Sequence, residues 1–354
     1  YGTNVVWSTV NGGTTWKRLS DDLSRETWDV PASVGKYATT PAAKPSRRGV
    51  VYTIAPSYVD SNTVWAGTDD GLIHVTRNGG ARWSNVTPPQ IGAWWKVSLM
   101  DASHFSATTA YAAVNTLRLD DLRPHIYRTR DGGATWTEIV NGIATDAPIN
   151  VVREDPKRRG LLYAGSETQV WFSLDDGDHW HSLRGNMPAI SIRDLVIKDD
   201  DIAVATHGRG FWILDNTTAL RQWSEAAASA PATLFKPAVA TRVRYSMYTD
   251  TPIPPDEPRA ENPPDGAIID YNIRAERMGW LPSAPQLQTN PLQVVKDATT
   301  AGMDPKDYVV KALKDGTVIG RTEPHIPANK LRSFEGVAPK TTDWRVVGLT
   351  DEEL

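Results

Sequence analysis

The sequence runs to 354 residues, 40% of them hydrophobic, with 38 Lys+Arg against 42 Asp+Glu for a net charge of −4. That length allows two domains or one large repeat domain with an appendage, and the charge balance argues against a general nucleic-acid or anionic-membrane surface. Cysteine is absent, which excludes disulfides, thiolate metal sites and a cysteine nucleophile, and no apolar run is long enough to span a bilayer.

The chain opens at Tyr1, without Met or signal peptide and inside a repeat. It therefore reads as a fragment or processed product whose partners include upstream blades of the same or a longer chain. The first repeat keeps two strands around Thr9, Asn11, Gly13 and Trp16. A full unit follows, with strands expected at 50–55, 63–67, 72–76 and 82–86 around Thr76, Asn78, Gly80 and Trp83. The next has strands expected at 96–102, 110–115, 125–129 and 135–140, around Thr129, Asp131, Gly133 and Trp136. A fourth, at 149–154, 161–165, 170–173 and 179–183, carries Ser173, Asp175, Gly177 and Trp180. A fifth unit at 192–197, 201–206 and 210–216 has strands but no such motif. Residues 252–265, rich in proline and acidic residues, read as a linker or extended arm. Beyond it two helices are expected, one capped by Asn290 with Gly302 past its end, the other capped by Asp304 and ending before Gly316.

The four motifs share the pattern [ST]-x-[DN]-x-G-x-x-W, hereafter the box. Ordinary composition would produce it roughly 0.01 times in a chain of this length, so four ungapped copies establish a repeat. Its chemistry is structural. The Asp or Asn side chain is expected to accept backbone N–H groups about two residues on, Gly to permit positive φ, the hydroxyl to satisfy a further turn group, and Trp to pack, buried, between sheets. Four short strands per unit, with boxes 67, 53 and 44 residues apart, predict an all-β fold. It is a partial β-propeller of four to five four-stranded blades over 1–223, then a closing strand and linker over 224–273, then a mainly helical tail over 274–354.

The boxes, with Gly67 to Thr76, Val151 to Pro156, Ala205 to Asp215 and Asn262 to Gly266, carry a resemblance over residues 1–273. There the chain resembles bacterial Asp-box (BNR-repeat) propeller proteins, a group similar to the sortilin Vps10 propeller and the two-propeller xyloglucan hydrolases. The resemblance implies a longer parent chain and a periplasmic or secreted location. In the tail, Leu281 to Val295 and Ala301 to Val310 resemble a short stretch of the catalytic subunit of respiratory nitrate reductases, over 278–316. That stretch offers no residue to assign to molybdenum, and no cofactor is implied.

In a four-stranded blade the loops between second and third strands share one end with the between-blade stretches, here 20–49, 87–95, 141–148 and 184–191. The boxes occupy the other end. Propellers bind partners on such a loop face, so the ligand-binding candidates are Asp69, Asp70, Trp94, Trp95, Asp121, Glu167, His207 and Arg209. Trp94 and Trp95 offer stacking, or else inter-blade packing. His207 and Arg209 offer a proton shuttle and an anion clamp, or else a buried pair holding two blades. Asp120 and Asp121 with Arg118 and Arg123 form a charged cluster that a solvated loop would equally show. Glycoside hydrolysis needs two carboxylates roughly 5–10 Å apart. Asp69, Asp70, Asp101, Asp121, Glu154 and Glu167 qualify by placement, without one pair standing out. No His spacing indicates a metal site. Two functions stay open: a module binding protein, peptide or glycan, and a two-propeller glycoside hydrolase.

Overall fold

The computed structural model describes residues 2–26, 32–40, 49–240 and 268–273, with five short strands between 313 and 347. The chain divides into two compact units, Tyr1–Ile197 with Ala203–Phe211, and Lys198–Ile202 with Trp212–Leu354.

The first unit is a series of β-propeller blades. Strands β1 (Trp7–Ser8) and β2 (Lys17–Arg18) pair as a two-stranded antiparallel sheet around the first box. Three complete antiparallel sheets follow, each a meander in chain order. The first holds β3 (Val51–Pro56), β4 (Val64–Thr68), β5 (Ile73–Thr76) and β6 (Trp83–Asn85). The second holds β7 (Lys96–Ala102), β8 (Ala110–Asn115), β9 (His125–Thr129) and β10 (Thr137–Glu138). The third holds β11 (Ile149–Glu154), β12 (Leu162–Ser166), β13 (Val170–Ser173) and β14 (His181–Ser182). Next come the neighbouring strands β15 (Ile192–Lys198) and β16 (Asp201–Thr206). The expected strands are present, the fourth of each blade shorter than the pattern suggested. A 3-10 helix at Ala32–Thr39 lies in a stretch read from sequence as loop.

Burial follows from the stacking of sheet on sheet. The second strands β8 and β12 are buried along their whole length and are rich in small residues. A Cβ on Gly67 would stand 2.4 Å from Val97, and one on Gly165 2.5 Å from Ile192, so each sheet closes down on the next blade's first strand. Trp65, Ile73, Val97 and Met100 fill one inter-sheet core. Ile126, Val152, Leu162 and Trp171 fill the next. At the start of all three first strands the ladder slips once, skipping Tyr52, Ser98 and Asn150. Such bulges bend a strand and re-aim a side chain.

The boxes form one hydrogen-bonded turn four times over. The box hydroxyl accepts the N–H of the box glycine, at 3.0 Å for Thr9 and Thr76 and 2.9 Å for Thr129 and Ser173. It donates to the Asp or Asn Oδ1, which also accepts a backbone N–H four residues on: Thr15, Arg82, Thr135 and His179. That reach is longer than the two residues expected, because the glycine at φ 91–93° extends the turn. The box tryptophan then crosses to the preceding blade. Trp83 Nε1 donates to Leu19 O at 2.9 Å, Trp136 to Val86 O at 2.7 Å and Trp180 to Ile139 O at 2.9 Å. Only Trp180 is fully buried. Trp83 and Trp136 are half-buried and Trp16, in the first box, is 48% exposed, so uniform burial of the box tryptophans does not hold.

In the second unit β17 (Phe211–Leu214) neighbours β24 (Arg345–Val347). Two short helices follow β17, α1 (Thr218–Gln222) and α2 (Glu225–Ser229), the latter capped by Ser224 accepting the Ala227 N–H. They precede β18 (Ala232–Leu234), which pairs with β19 (Tyr271–Ile273). The expected linker at 252–265 and the helix after Asn290 lie outside the described residues. The helix expected from Asp304 to Gly316 meets a described segment at its end, and there the chain is strand. β20 (Leu313–Lys314) pairs with β21 (Thr317–Val318), and β22 (Phe334–Glu335) with β23 (Ala338–Pro339). Among the described residues no helix is long and apolar enough to cross a membrane.

Candidate functional site

Three of the sequence candidates occupy one structural position in three blades. The N–H of Asp69 donates to Val50 O at 3.0 Å, that of Glu167 to Pro148 O at 3.0 Å and that of His207 to Ser191 O at 2.9 Å. Each bond ties the corner after a second strand to the residue leading into the same blade's first strand. Their side chains then diverge. Asp69 Oδ1 accepts the Val50 N–H at 2.8 Å, and its other oxygen lies 3.6 Å from Arg118. Glu167 Oε1 accepts from Asn150 Nδ2 at 2.9 Å and from Arg193 at 3.2 Å. His207 is exposed, and its Nδ1 sits 3.3 Å from Arg193.

These contacts join into a polar chain across blades. Asn115 Nδ2 donates to Asn150 Oδ1 at 2.8 Å, Asn150 reaches Glu167, and Arg193 bridges Glu167 to His207. Asn115 also accepts the Leu117 N–H at 3.0 Å, anchoring the loop that carries Arg118, Asp121 and Arg123. The sequence pattern misses Asn150 and Arg193, since strand alternation reads each as an unremarkable polar position near the start of a first strand. The bulge at Asn150 turns its amide onto both neighbours. A slip in register at the same place in three first strands is the signal that would have found it.

Other candidates are engaged in packing or tethering. Asp70 is 2% exposed; its Oδ2 accepts the Arg25 N–H at 2.8 Å and crowds Gly49, so it fastens the connection into its blade. Trp94 takes a positive φ of 67°, costly for a bulky residue, and its ring is capped by the Arg118 guanidinium at 5.2 Å. Arg118 Nε also donates to Trp94 O at 3.0 Å. Trp95 packs against the inter-sheet core and lies 4.6 Å from the His125 ring. Arg209 is half-buried beside Gly208, whose φ is 92°. Asp121 accepts two bonds from the Arg123 guanidinium, at 2.9 and 2.7 Å, which hold its carboxyl down at about 2.

Asp101 and Glu154 fall at the opposite end. Both close their first strands next to the turn into the second strand, on the box side, and they are 2% and 1% exposed. The Glu154 N–H donates to Asp101 Oδ2 at 2.8 Å, and Glu154 itself accepts the N–H groups of His104 and Gly160. Burial pushes the Asp101 carboxyl up to about 6 and raises Glu154 as well. Neither belongs to the loop face on which placement by sequence had put them. The described residues contain no group of three His, Cys, Asp or Glu able to hold a metal ion.

Residues 306–354 match the family of LigXa C-terminal domain-like sequences. The chain is 32% identical over 196 residues to the respiratory nitrate reductase 1 alpha chain of Escherichia coli (strain K12), a match covering 52% of this chain and 15% of that one. Matches of this kind bear out the nitrate reductase resemblance of the sequence, and the chain spans about a sixth or less of those relatives' length. Among solved structures, the GH74 xyloglucanase of Xanthomonas campestris is 16% identical with a TM-score of 0.42, covering 62% of this chain and 34% of its own. YCF48 bound to D1 peptide is 14% identical with a TM-score of 0.37, covering 47% and 51%. The four-stranded sheets themselves, rather than these likenesses, define the propeller architecture.

Proposed function

We propose that this chain is a binding module of the Asp-box (BNR-repeat), sortilin Vps10-like kind. It engages a protein, peptide or glycan through the loop face opposite the boxes, in an extracytoplasmic setting. One observation carries the reading: the polar chain from Asn115 through Asn150, Glu167 and Arg193 to His207, which gathers side chains from separate blades at one end. A solvated surface has no need of such linkage, whereas a recognition site must hold its groups in place before the ligand arrives. The hydrolase alternative has less support. It needs a carboxylic acid of raised pKa within reach of a second carboxylate. Asp121 is held low, Asp69 and Glu167 are ion-paired, and the raised acids Asp101 and Glu154 are buried at the other end.

The test is capture on peptide and glycan arrays beside a reducing-sugar assay on xyloglucan. Capture without turnover is expected, weakened by Glu167→Gln, which removes the charge that pairs with Arg193. Sugar release that Glu167→Gln abolishes would make the chain a hydrolase.

A further inference from the structure

At the corners after the second strands, the carboxylates of Asp69, Asp121 and Glu167 each pair with an arginine, and in these three pairs the cation is the outer partner. Asp69 is 20% exposed and Arg118 38%, Asp121 23% and Arg123 66%, Glu167 19% and Arg193 45%. At the box end both orders occur: Arg128, 7% exposed, lies beneath Asp178 at 55%, while Arg130 at 59% lies above Asp176 at 22%. The order shared by these three pairs therefore does not follow from blade geometry alone. A carboxylate underneath fixes the plane of a guanidinium and neutralises part of its charge, while the five N–H donors outnumber these bonds: Arg118 spends Nε and Nη2 on the Trp94 and Asp69 carbonyls, Arg123 spends Nε and Nη2 on Asp121, and Arg193 spends Nη1 on Glu167 and faces His207 with Nη2. A guanidinium has five N–H donors, and its paired geometry suits a second carboxylate.

The aromatic alternative is already occupied. The Trp94 ring carries the Arg118 guanidinium, and Trp95 is packed against the core and His125. A sugar ring stacking on that face of Trp94 would have to displace the guanidinium, whereas a carboxylate needs only arginine N–H groups. Asn115 anchors the loop of Arg118 and Arg123, and through Asn150 and Glu167 it is bonded onward to Arg193. The three cations thus belong to one connected assembly.

We infer that the loop face recognises an acidic peptide segment, whose Asp or Glu carboxylates take the N–H groups that Arg118, Arg123 and Arg193 do not spend on these partners. This rests on the binding-module reading and names its ligand class. Charge-assisted recognition of this kind is sensitive to salt, since the arginines are partly solvated.

The experiment is fluorescence anisotropy on the full chain. The probes are labelled deca-glutamate, deca-lysine, a Gly-Ser decamer and polygalacturonate. Deca-glutamate should bind at least about tenfold more tightly than the others and lose affinity as salt rises. Arg118→Gln, Arg123→Gln and Arg193→Gln combined should remove that preference. A charge-matched triple at the box end, Arg82→Gln, Lys157→Gln and Arg159→Gln, should keep it. Arg118 also holds backbone carbonyls, so Arg123→Gln alone is the safeguard against misfolding: its contacts stay within its own loop, and it should weaken deca-glutamate about threefold. Deca-glutamate binding no better than the Gly-Ser decamer, or unaffected by either Arg variant, overturns the inference. So does polygalacturonate binding as tightly, which would move the ligand to acidic glycans. Capture of neutral peptides alone would sink the acidic preference and leave the binding module standing. Xyloglucan turnover with no probe bound would sink both.

Discussion

The two ends of the same blades are built on opposite principles. At the box end one pattern of hydrogen bonds recurs in four turns, and each tryptophan from Trp83 onward donates to the blade before it. At the loop end three corners share a backbone bond, but Asp69, Glu167 and His207 have different chemistry and partners. Repetition marks what every blade must do, which is to turn and dock. Divergence marks what only some blades do, and that end is open to selection for a ligand.

The largest effect that would sharpen this contrast is at the buried tryptophan. Trp180 is 3% exposed and bonded to Ile139 O, so Trp180→Ala should cost about 3–5 kcal/mol by denaturant melting. Trp16→Ala, at the exposed box, should stay within about 0.5 kcal/mol. Equal losses at the two would mean that the box tryptophan acts within its own turn rather than between blades.

Acid should separate the ends next. The folded pKa of Asp101 is raised from 3.8 to about 6 by burial, so the native state holds its proton more tightly than the unfolded chain. Its contribution is fully present below about pH 4 and is lost as pH rises through about 6, a difference of about 2–3 kcal/mol. Relative to Asp101→Asn, the parent should therefore lose melting temperature between about pH 4 and pH 7. Asp121 has the opposite sign: its pKa is lowered from 3.8 to about 2, so its contribution holds above pH 4 and fades as pH falls through about 2. A parent and Asp101→Asn that melt in parallel across the upper window would refute the assignment.

The smallest effect belongs to the loop face itself. Arg123→Gln should lower the melting temperature only slightly, because its pairing with Asp121 is largely solvent-exposed and what it lends Asp121 is screened. A clear loss of stability there would mean that the loop end is also structural, and the division of labour between the ends would fail.

Much of the architecture was legible because it is repeated. The boxes announce their turns through residue types that few other structures need, and strand order follows from their spacing. The candidate site was legible in part. Asp69, Glu167 and His207 were found because they follow second strands, which places them at one corner whatever their side chains do. For Trp94 and Trp95 the sequence leaves stacking and packing open, because aromatic residues in a loop carry no mark of what covers them; Arg118, over twenty residues away, caps one ring. Asp101 and Glu154 were placed at the wrong end because their distance from the turn into the second strand depends on where each first strand stops.

By itself the sequence determined that the chain is β, that it repeats, and that each box closes a turn with its own side chains. Those are local properties, fixed within eight residues by hydrogen bonds to nearby backbone groups. The tertiary structure alone decided which face each polar group serves. Register slips at Tyr52, Ser98 and Asn150 rotate side chains without altering composition. Whether a carboxylate lies above or below its arginine depends on how adjacent sheets meet. That choice is made by contacts between residues dozens of positions apart, as between Glu167 and Arg193 or Asp69 and Arg118, and a pattern read along the chain does not contain it.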